Sequence, residues 1–254
     1  MLPRERVSRA LANANPAIVA FMTAGYPARE TFLSVLREIG TAADAIEIGV
    51  PFSDPMADGV TIQRSSRHAI AHGVSLRWIL GQLAERDFEL AAPVLLMSYL
   101  NPLLAYGYDA LAARAAELGV AGFMVPDLPY EESAPLKLAL DPHGLALVQF
   151  VTPATPRERL RVLCAASQGF VYAVTKTGIT GGAAALPADL ADYLDAVKQV
   201  SELPVCAGFG VRNAAQVQSI AAHADGVIVG SALVEVLERG EDAAAFLAKL
   251  RGRR

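Results

Sequence analysis

The sequence predicts a closed (β/α)8 barrel, the TIM-barrel class of α/β fold. Three observations carry that expectation. Eight short runs rich in β-branched and aromatic residues recur along the 254-residue chain. Each ends in a Gly, Pro or Asp turn and leads into an Ala/Leu-rich amphipathic stretch. The runs are almost unbroken in apolar character, as expected of parallel strands buried on both faces. Eight such units with no break predict closure.

In order, the runs are AIVAFMT (17–23), AIEIG (45–49), PVLLMSY (93–99), AGFMVP (121–126), LALVQFV (145–151), GFVYAVT (169–175), PVCAGFG (204–210) and DGVIVG (225–230). The intervening stretches read as helices. ARETFLSVLREIG (28–40) places Phe32, Val35, Leu36 and Ile39 on one face. An open doubly wound sheet is the weaker alternative, because no GxGxxG follows the first run. Neither a Ser/Gly linker nor a low-complexity tract divides the chain, so residues 1–254 read as one domain with extended loops after strands two and six. The stretch 50–92 is unusually long. It holds the motif-dense loop PFSDPMADGVTIQ and then an extra helix.

Composition narrows the function. With 53% hydrophobic and 19% charged residues, the chain has material for a core and does not read as disordered. A net charge of −4 with no basic run argues against a nucleic-acid surface. No apolar stretch reaches the roughly 20 residues of a membrane helix, and the N-terminus lacks a signal-peptide core. A cytoplasmic protein is expected. Cys164 and Cys206 form no CxxC pair, so zinc and redox motifs are not indicated. Arg251, Arg253 and Arg254 read as a frayed tail.

Barrel enzymes place their chemistry at the C-terminal ends of the strands. Glu47 sits inside the second run between Ile46 and Ile48, and alternation sends it to the barrel interior. A buried carboxylate is costly unless paired or protonated, and desolvation raises its pKa. That suits proton transfer, although a structural ion pair explains the position equally well. Asp54 and Asp58 have the local character of turn-formers, yet their spacing lets both overhang the barrel mouth. Such carboxylates also leave Mg²⁺ open. Glycine turns follow the last three runs: TGITGG (177–182), GFG (208–210) and Gly230–Ser231. Glycines allow backbone N–H groups close approach to phosphate oxygens, so together these turns predict a phosphate site. His68 and His72 share a helical face but have no evident third metal ligand.

The segment EIGVPFSDPMADGVTIQ (47–63) resembles the signature of the tryptophan synthase α-subunit family. FMTAGYP (21–27), NPLLAYG (101–107), VPDLPYEES (125–133), TGITG (177–181), GFG and DGVIVGSALV (225–234) resemble further blocks of that family in the same order. The resemblance spans about residues 17–240. It implies retro-aldol cleavage of indole-3-glycerol phosphate to indole and D-glyceraldehyde 3-phosphate, the α reaction of L-tryptophan biosynthesis. Carried over motif by motif, Glu47 is the general acid/base and Asp58 accepts the indole N–H. Phe21, Tyr172 and Phe209 line the indole site. Gly181, Phe209, Gly210, Gly230 and Ser231 match the phosphate site. Thr180 matches a lid residue that orients Asp58, and Lys176 stands where relatives often have arginine. The resemblance also implies no metal and no cofactor in this chain. Pyridoxal phosphate is expected only on a partner β subunit, within an α2β2 heterotetramer. The loops around Asp54–Pro55 and Asp127–Pro129 are implied to face that partner.

Overall fold

The computed structural model of the chain describes residues 1–174, 188–208 and 210–252. Eight parallel strands close into a barrel in sequence order. They are β1 (Ala17–Thr23), β2 (Ala45–Gly49), β3 (Val94–Met97), β4 (Val120–Met124), β5 (Ala146–Val151), β6 (Val171–Val174), β7 (Val205–Gly208) and β8 (Gly226–Val229). Every one falls on a run expected from sequence. Closure is made by β1 against β8, with Ala17 to Ala20 paired to Gly226 to Val229.

The helices among the described residues are α1 (Pro3–Ala12), α2 (Phe32–Gly40), α3 (Val60–Ala71), α4 (Leu76–Glu85), α5 (Leu100–Tyr106), α6 (Tyr108–Glu117), α7 (Ala134–Leu140), α8 (Arg157–Ala166), α9 (Ala188–Val200), α10 (Ala214–Ala221), α11 (Ser231–Glu238) and α12 (Ala243–Leu250). None is long and apolar enough to cross a membrane. In α2, Phe32, Val35, Leu36 and Ile39 are all buried, as the apolar spacing predicts. The long connection after β2 holds α3 and α4, so α3 is the extra helix.

Strand alternation sorts the core into two layers. Ile18, Ala20, Met22, Ile46 and Ile48 face outward against the helices. Ala17, Val19, Ala45, Leu95, Ala146 and Val148 fill the lower barrel interior. Helix α1 seals the bottom, where Val7 and Leu11 are fully buried in that inner cluster. Ser8 Oγ donates to the Gly169 carbonyl at 2.7 Å and fixes the plug. No periodic argument from the sequence singled out α1.

In β4, the sequence AGFMV, under strict alternation, would send Ala121, Phe123 and Val125 to one face. The structure separates them: Ala121 lies inside, whereas Phe123 and Val125 lie outside. A register shift is the cause, since Val94 pairs with Val120 but Leu95 pairs with Gly122. Such a bulge inserts one unpaired residue and reverses the alternation. Gly122 is required beside it, because a Cβ there would lie 2.5 Å from both the Ala146 Cβ and the Ala146 carbonyl oxygen.

The C-terminal arginines were expected to be frayed, and for Arg251 this is wrong. Its guanidinium donates to Asp44 at 2.6 and 3.2 Å and to the Ala42 carbonyl at 3.0 Å. The same Asp44 carboxylate accepts the Ile18 backbone N–H at 2.7 Å. One ion pair therefore ties the end of α12 to the entry of β1 and β2. Arg253 and Arg254 lie outside the described residues.

Gly122→Ala is expected to lower unfolding stability by about 1–3 kcal/mol, the usual cost of overpacking. Urea denaturation followed by circular dichroism measures it. An unchanged midpoint would mean that β4 and β5 can separate freely.

Candidate active site

The barrel mouth carries a cavity of about 230 Å³ above the filled inner layer. Glu47 forms part of its wall from the middle of β2. It is paired in register with Phe21 on β1 and Leu95 on β3. The side chain is 1% exposed, and neither carboxylate oxygen has a hydrogen-bond partner among the described residues. Among the described residues Glu47 therefore has no ion-pair partner. Burial, then the negative charge of Asp58, pushes its pKa from 4.5 up to about 8. At neutral pH it is mainly the neutral acid.

Asp58 reaches the same cavity from the loop just before α3. Burial raises its pKa to about 6, opposed by a hydrogen bond from the Tyr99 hydroxyl at 3.2 Å. Tyr99 is itself held: its oxygen accepts the Ala57 N–H at 2.9 Å, and its ring stacks on Phe52 at 4.9 Å. Gln63 Nε2 donates to the Asp58 carbonyl at 2.9 Å. Farther along α3, Ser65 and Thr23 of β1 share a buried 2.7 Å hydrogen bond. Arg64 pairs with Glu238 of α11 at 2.5 Å. Helix α3 is thus pinned to both the barrel and α11, and the loop before it holds Asp58 over the mouth. The two carboxyls differ in kind: Asp58 ionises more readily because a donor supports its charge, whereas Glu47 has none.

Phe21 and Tyr172 form opposing aromatic parts of the wall. Gly49 and Gly208 make space for them, since a Cβ at Gly49 would lie 2.6 Å from the Phe21 ring and one at Gly208 would lie 3.0 Å from that of Tyr172. Burial, reinforced by the charges of Glu47 and Asp58, raises the Tyr172 hydroxyl well above its ordinary pKa, so it stays protonated. Gly210, Gly230 and Ser231 complete another side of the cavity. Ser231 is the first residue of α11, whose N-terminal dipole and free N–H groups favour an anion there.

Seven of the residues singled out from sequence thus line one cavity: Phe21, Glu47, Asp58, Tyr172, Gly210, Gly230 and Ser231. Thr180, Gly181, Phe209 and Lys176 lie outside the described residues. Asp54 does not join Asp58. It is exposed, accepts a 2.5 Å hydrogen bond from Ser53, and keeps the turn role. His68 and His72 stack on each other at 4.2 Å. Among the described residues no group of three or more His, Cys, Asp or Glu is placed to hold a metal.

The sequence profile of the tryptophan synthase alpha chain family matches residues 7–251. The chain belongs to that family. It is 45% identical over 251 residues to the tryptophan synthase alpha chain of Desulfovibrio desulfuricans, covering 98% of each. The solved tryptophan synthase subunit alpha of Legionella pneumophila superposes with a TM-score of 0.88 at 33% identity, over 99% of this chain and 98% of that one. A tryptophan synthase structure from M. tuberculosis gives 0.87 at 34% identity, with the same coverage.

Family membership makes the residues missed from sequence worth naming. Tyr99 positions Asp58, and Phe150, packed against Tyr172 at 4.8 Å, completes the aromatic wall. Ile62, Met97 and Ile228 add apolar surface. Phe150 was accessible to an alternation argument along β5. The Tyr99–Asp58 contact joins residues 41 apart and has no local signal.

Two outcomes are expected. A raised pKa means that the fold binds the Glu47 proton more tightly than the unfolded chain. Its contribution to stability is therefore full below about 4.5 and is lost as pH rises through about 8. Glu47→Gln does not titrate, so its stability advantage over wild type should grow across that window to the order of several kcal/mol. Denaturant unfolding across the pH range measures it, and a pH-independent difference would mean an ordinary Glu47 pKa. Tyr99→Phe removes the donor that supports ionised Asp58. Carboxyl ¹³C NMR titration should then place Asp58 above its value of about 6, and an unmoved or lowered value would remove Tyr99 from this role.

Proposed function

We propose that the protein cleaves indole-3-glycerol phosphate to indole and D-glyceraldehyde 3-phosphate, the α reaction of tryptophan synthase. The observation that carries this reading is the unpartnered, neutral Glu47 carboxyl facing the same apolar cavity as the more acidic Asp58. An indole ring fits among Phe21, Phe150 and Tyr172, and a phosphate fits at Gly210, Gly230 and Ser231. The phosphate reading extends to Gly181 and Phe209, and Thr180 serves as the lid residue that orients Asp58.

In this mechanism Glu47 gives its proton to indole C3. Positive charge develops on the ring nitrogen, and the Asp58 carboxylate accepts the N–H and stabilises it. Glu47, now ionised, takes the proton from the hydroxyl on the adjoining side-chain carbon. That oxygen's electrons form the aldehyde as the C–C bond breaks, and the bonding pair returns to the ring to restore indole. The raised Glu47 pKa serves both transfers near neutrality. In this reading the chain works in the cytoplasm with a β subunit, as an α2β2 heterotetramer. Pyridoxal phosphate belongs to that β subunit, and this chain carries neither cofactor nor metal. The exposed Met56 and Val60 flank the Asp58 loop and give the partner an apolar surface to cover.

Indole release from indole-3-glycerol phosphate by purified protein, with and without a β subunit, tests the reading. Wild type should release indole and accelerate with the β subunit. Glu47→Gln should lose about 10²–10⁴-fold and Asp58→Asn about 10²–10³-fold, with the fold intact. No indole under either condition would overturn the assignment. Unchanged turnover with the β subunit would leave a stand-alone lyase.

A further inference from the structure

Glu235 lies one turn after Ser231, on the same face of α11. Its carboxylate joins α11 to two other elements. Oε2 accepts Arg212 Nη1 at 2.7 Å, and Oε1 accepts Arg212 Nη2 at 3.0 Å. Oε1 also accepts the Thr61 hydroxyl at 3.3 Å. Arg212 belongs to the loop between β7 and α10, and Thr61 to the first turn of α3. The Arg212 backbone N–H donates in turn to Gln216 Oε1 at 2.8 Å, so the loop is fastened to α10 as well. The Arg212 hydrogen bonds hold the Glu235 carboxyl below its ordinary pKa, which keeps it ionised at neutral pH.

Each of the three elements supplies part of the catalytic cavity. Gly210, two residues before Arg212, lines it where the loop turns with a φ of +64°. Asp58, three residues before Thr61, lines it too, and so does Ser231. Other exposed ion pairs are local: Arg114–Glu117, Lys137–Asp141 and Arg239–Glu241 join residues two to four apart. Glu235 instead connects Arg212, 23 residues away, with Thr61, 174 residues away.

The reaction gives this bridge a task. The substrate would rest its indole N–H on Asp58 and its phosphate at Gly210, Gly230 and Ser231. Glu47 is fixed by the register of β2, so ring carbon C3 meets it only when both ends are held at the right span. Asp58 and Gly210 sit on loops, where strand hydrogen bonds do not set their separation. A displacement of about 1 Å at a reacting group can cost about 10²-fold in rate. We propose, on the indole-3-glycerol phosphate reading above, that Glu235 is a positioning residue for the cleavage. It holds the phosphate-binding loop through Arg212 and the Asp58 loop through Thr61, and it touches no reacting atom.

Steady-state cleavage of indole-3-glycerol phosphate by the full-length protein, alone and with the β subunit, tests this. Arg212→Ala releases only the phosphate end and should raise KM about fivefold, with kcat kept within about twofold. Thr61→Val releases only the Asp58 end and should lower kcat about fivefold, with KM kept within about twofold. Thr61→Ser restores the hydroxyl and should recover kcat. Glu235→Ala releases both ends and should show both changes. Adding Arg212→Ala to Glu235→Ala should raise KM no further, because the two act through one contact. Arg114→Gln breaks a comparable exposed pair on α6 and should leave both constants unchanged. Exposed pairs contribute little to stability, so the variants should fold, and thermal unfolding checks that they do. Unchanged constants in Glu235→Ala would overturn the proposal. So would equal losses in all three single variants accompanied by a lowered melting temperature. Absence of cleavage by the wild type would overturn the substrate reading together with this one, whereas an active wild type with indifferent variants overturns this one alone.

Discussion

Closure of eight parallel strands leaves a barrel interior with a small, fixed number of inward positions, and each must be filled or justified. The lower ones are filled by Ala17, Val19, Ala45, Leu95, Ala146 and Val148, with Val7 and Leu11 of α1 sealing the base. The position above Ala45 on β2 is Glu47. Among the described residues no group offers it a hydrogen bond, and no cation among them shifts its pKa. A solvated or paired glutamate would be an ordinary acid at neutral pH. This one holds its proton because the sealed layer beneath and the aromatic wall beside it deny its charge any support.

The second carboxyl depends on the opposite arrangement. Asp58 rests on a loop rather than on a strand, so it needs external positioning. Tyr99 supplies a donor, Gln63 ties down the local backbone, and α3 is anchored through Ser65 and Arg64. Two similar side chains thereby occupy one cavity with different affinities for a proton. The difference comes from their supports, one apolar and one hydrogen-bonded, rather than from their own chemistry.

All eight strands were legible because a parallel barrel strand is a local signal: a short apolar run with a breaker at its end. Glu47 was legible for the same reason, as a charge interrupting AIEIG. The motif 47–63 and the glycine turns carried the rest of the mouth. What escaped notice was set by distant contacts. The β4 bulge depends on how closely Gly122 meets Ala146 on the next strand. Arg251 looked like a loose end because its partner, Asp44, lies 207 residues away. Helix α1 has only two fully buried residues, too few for a periodic stripe, yet those two close the barrel. Asp54 and Asp58 looked equivalent in PFSDPMADG. They separate because Asp58 turns into the cavity, where burial and Tyr99 act on it, whereas Asp54 stays exposed.

Strand β5 shows how alternation lets one segment face two environments. Phe150 looks inward and completes the aromatic wall with Tyr172, whereas Gln149 looks outward into the space beneath the β4 loop. The peptide bond joining them makes β5 a shared partition between two cavities. Side chains in a close-packed interior move by discrete repacking rather than by smooth deformation. The wall of the catalytic cavity at Phe150 is therefore set by the packing on both faces of β5. In this barrel the parity that turns Glu47 into the interior cavity on β2 also turns Phe150 inward on β5 and leaves Gln149 facing the outer layer.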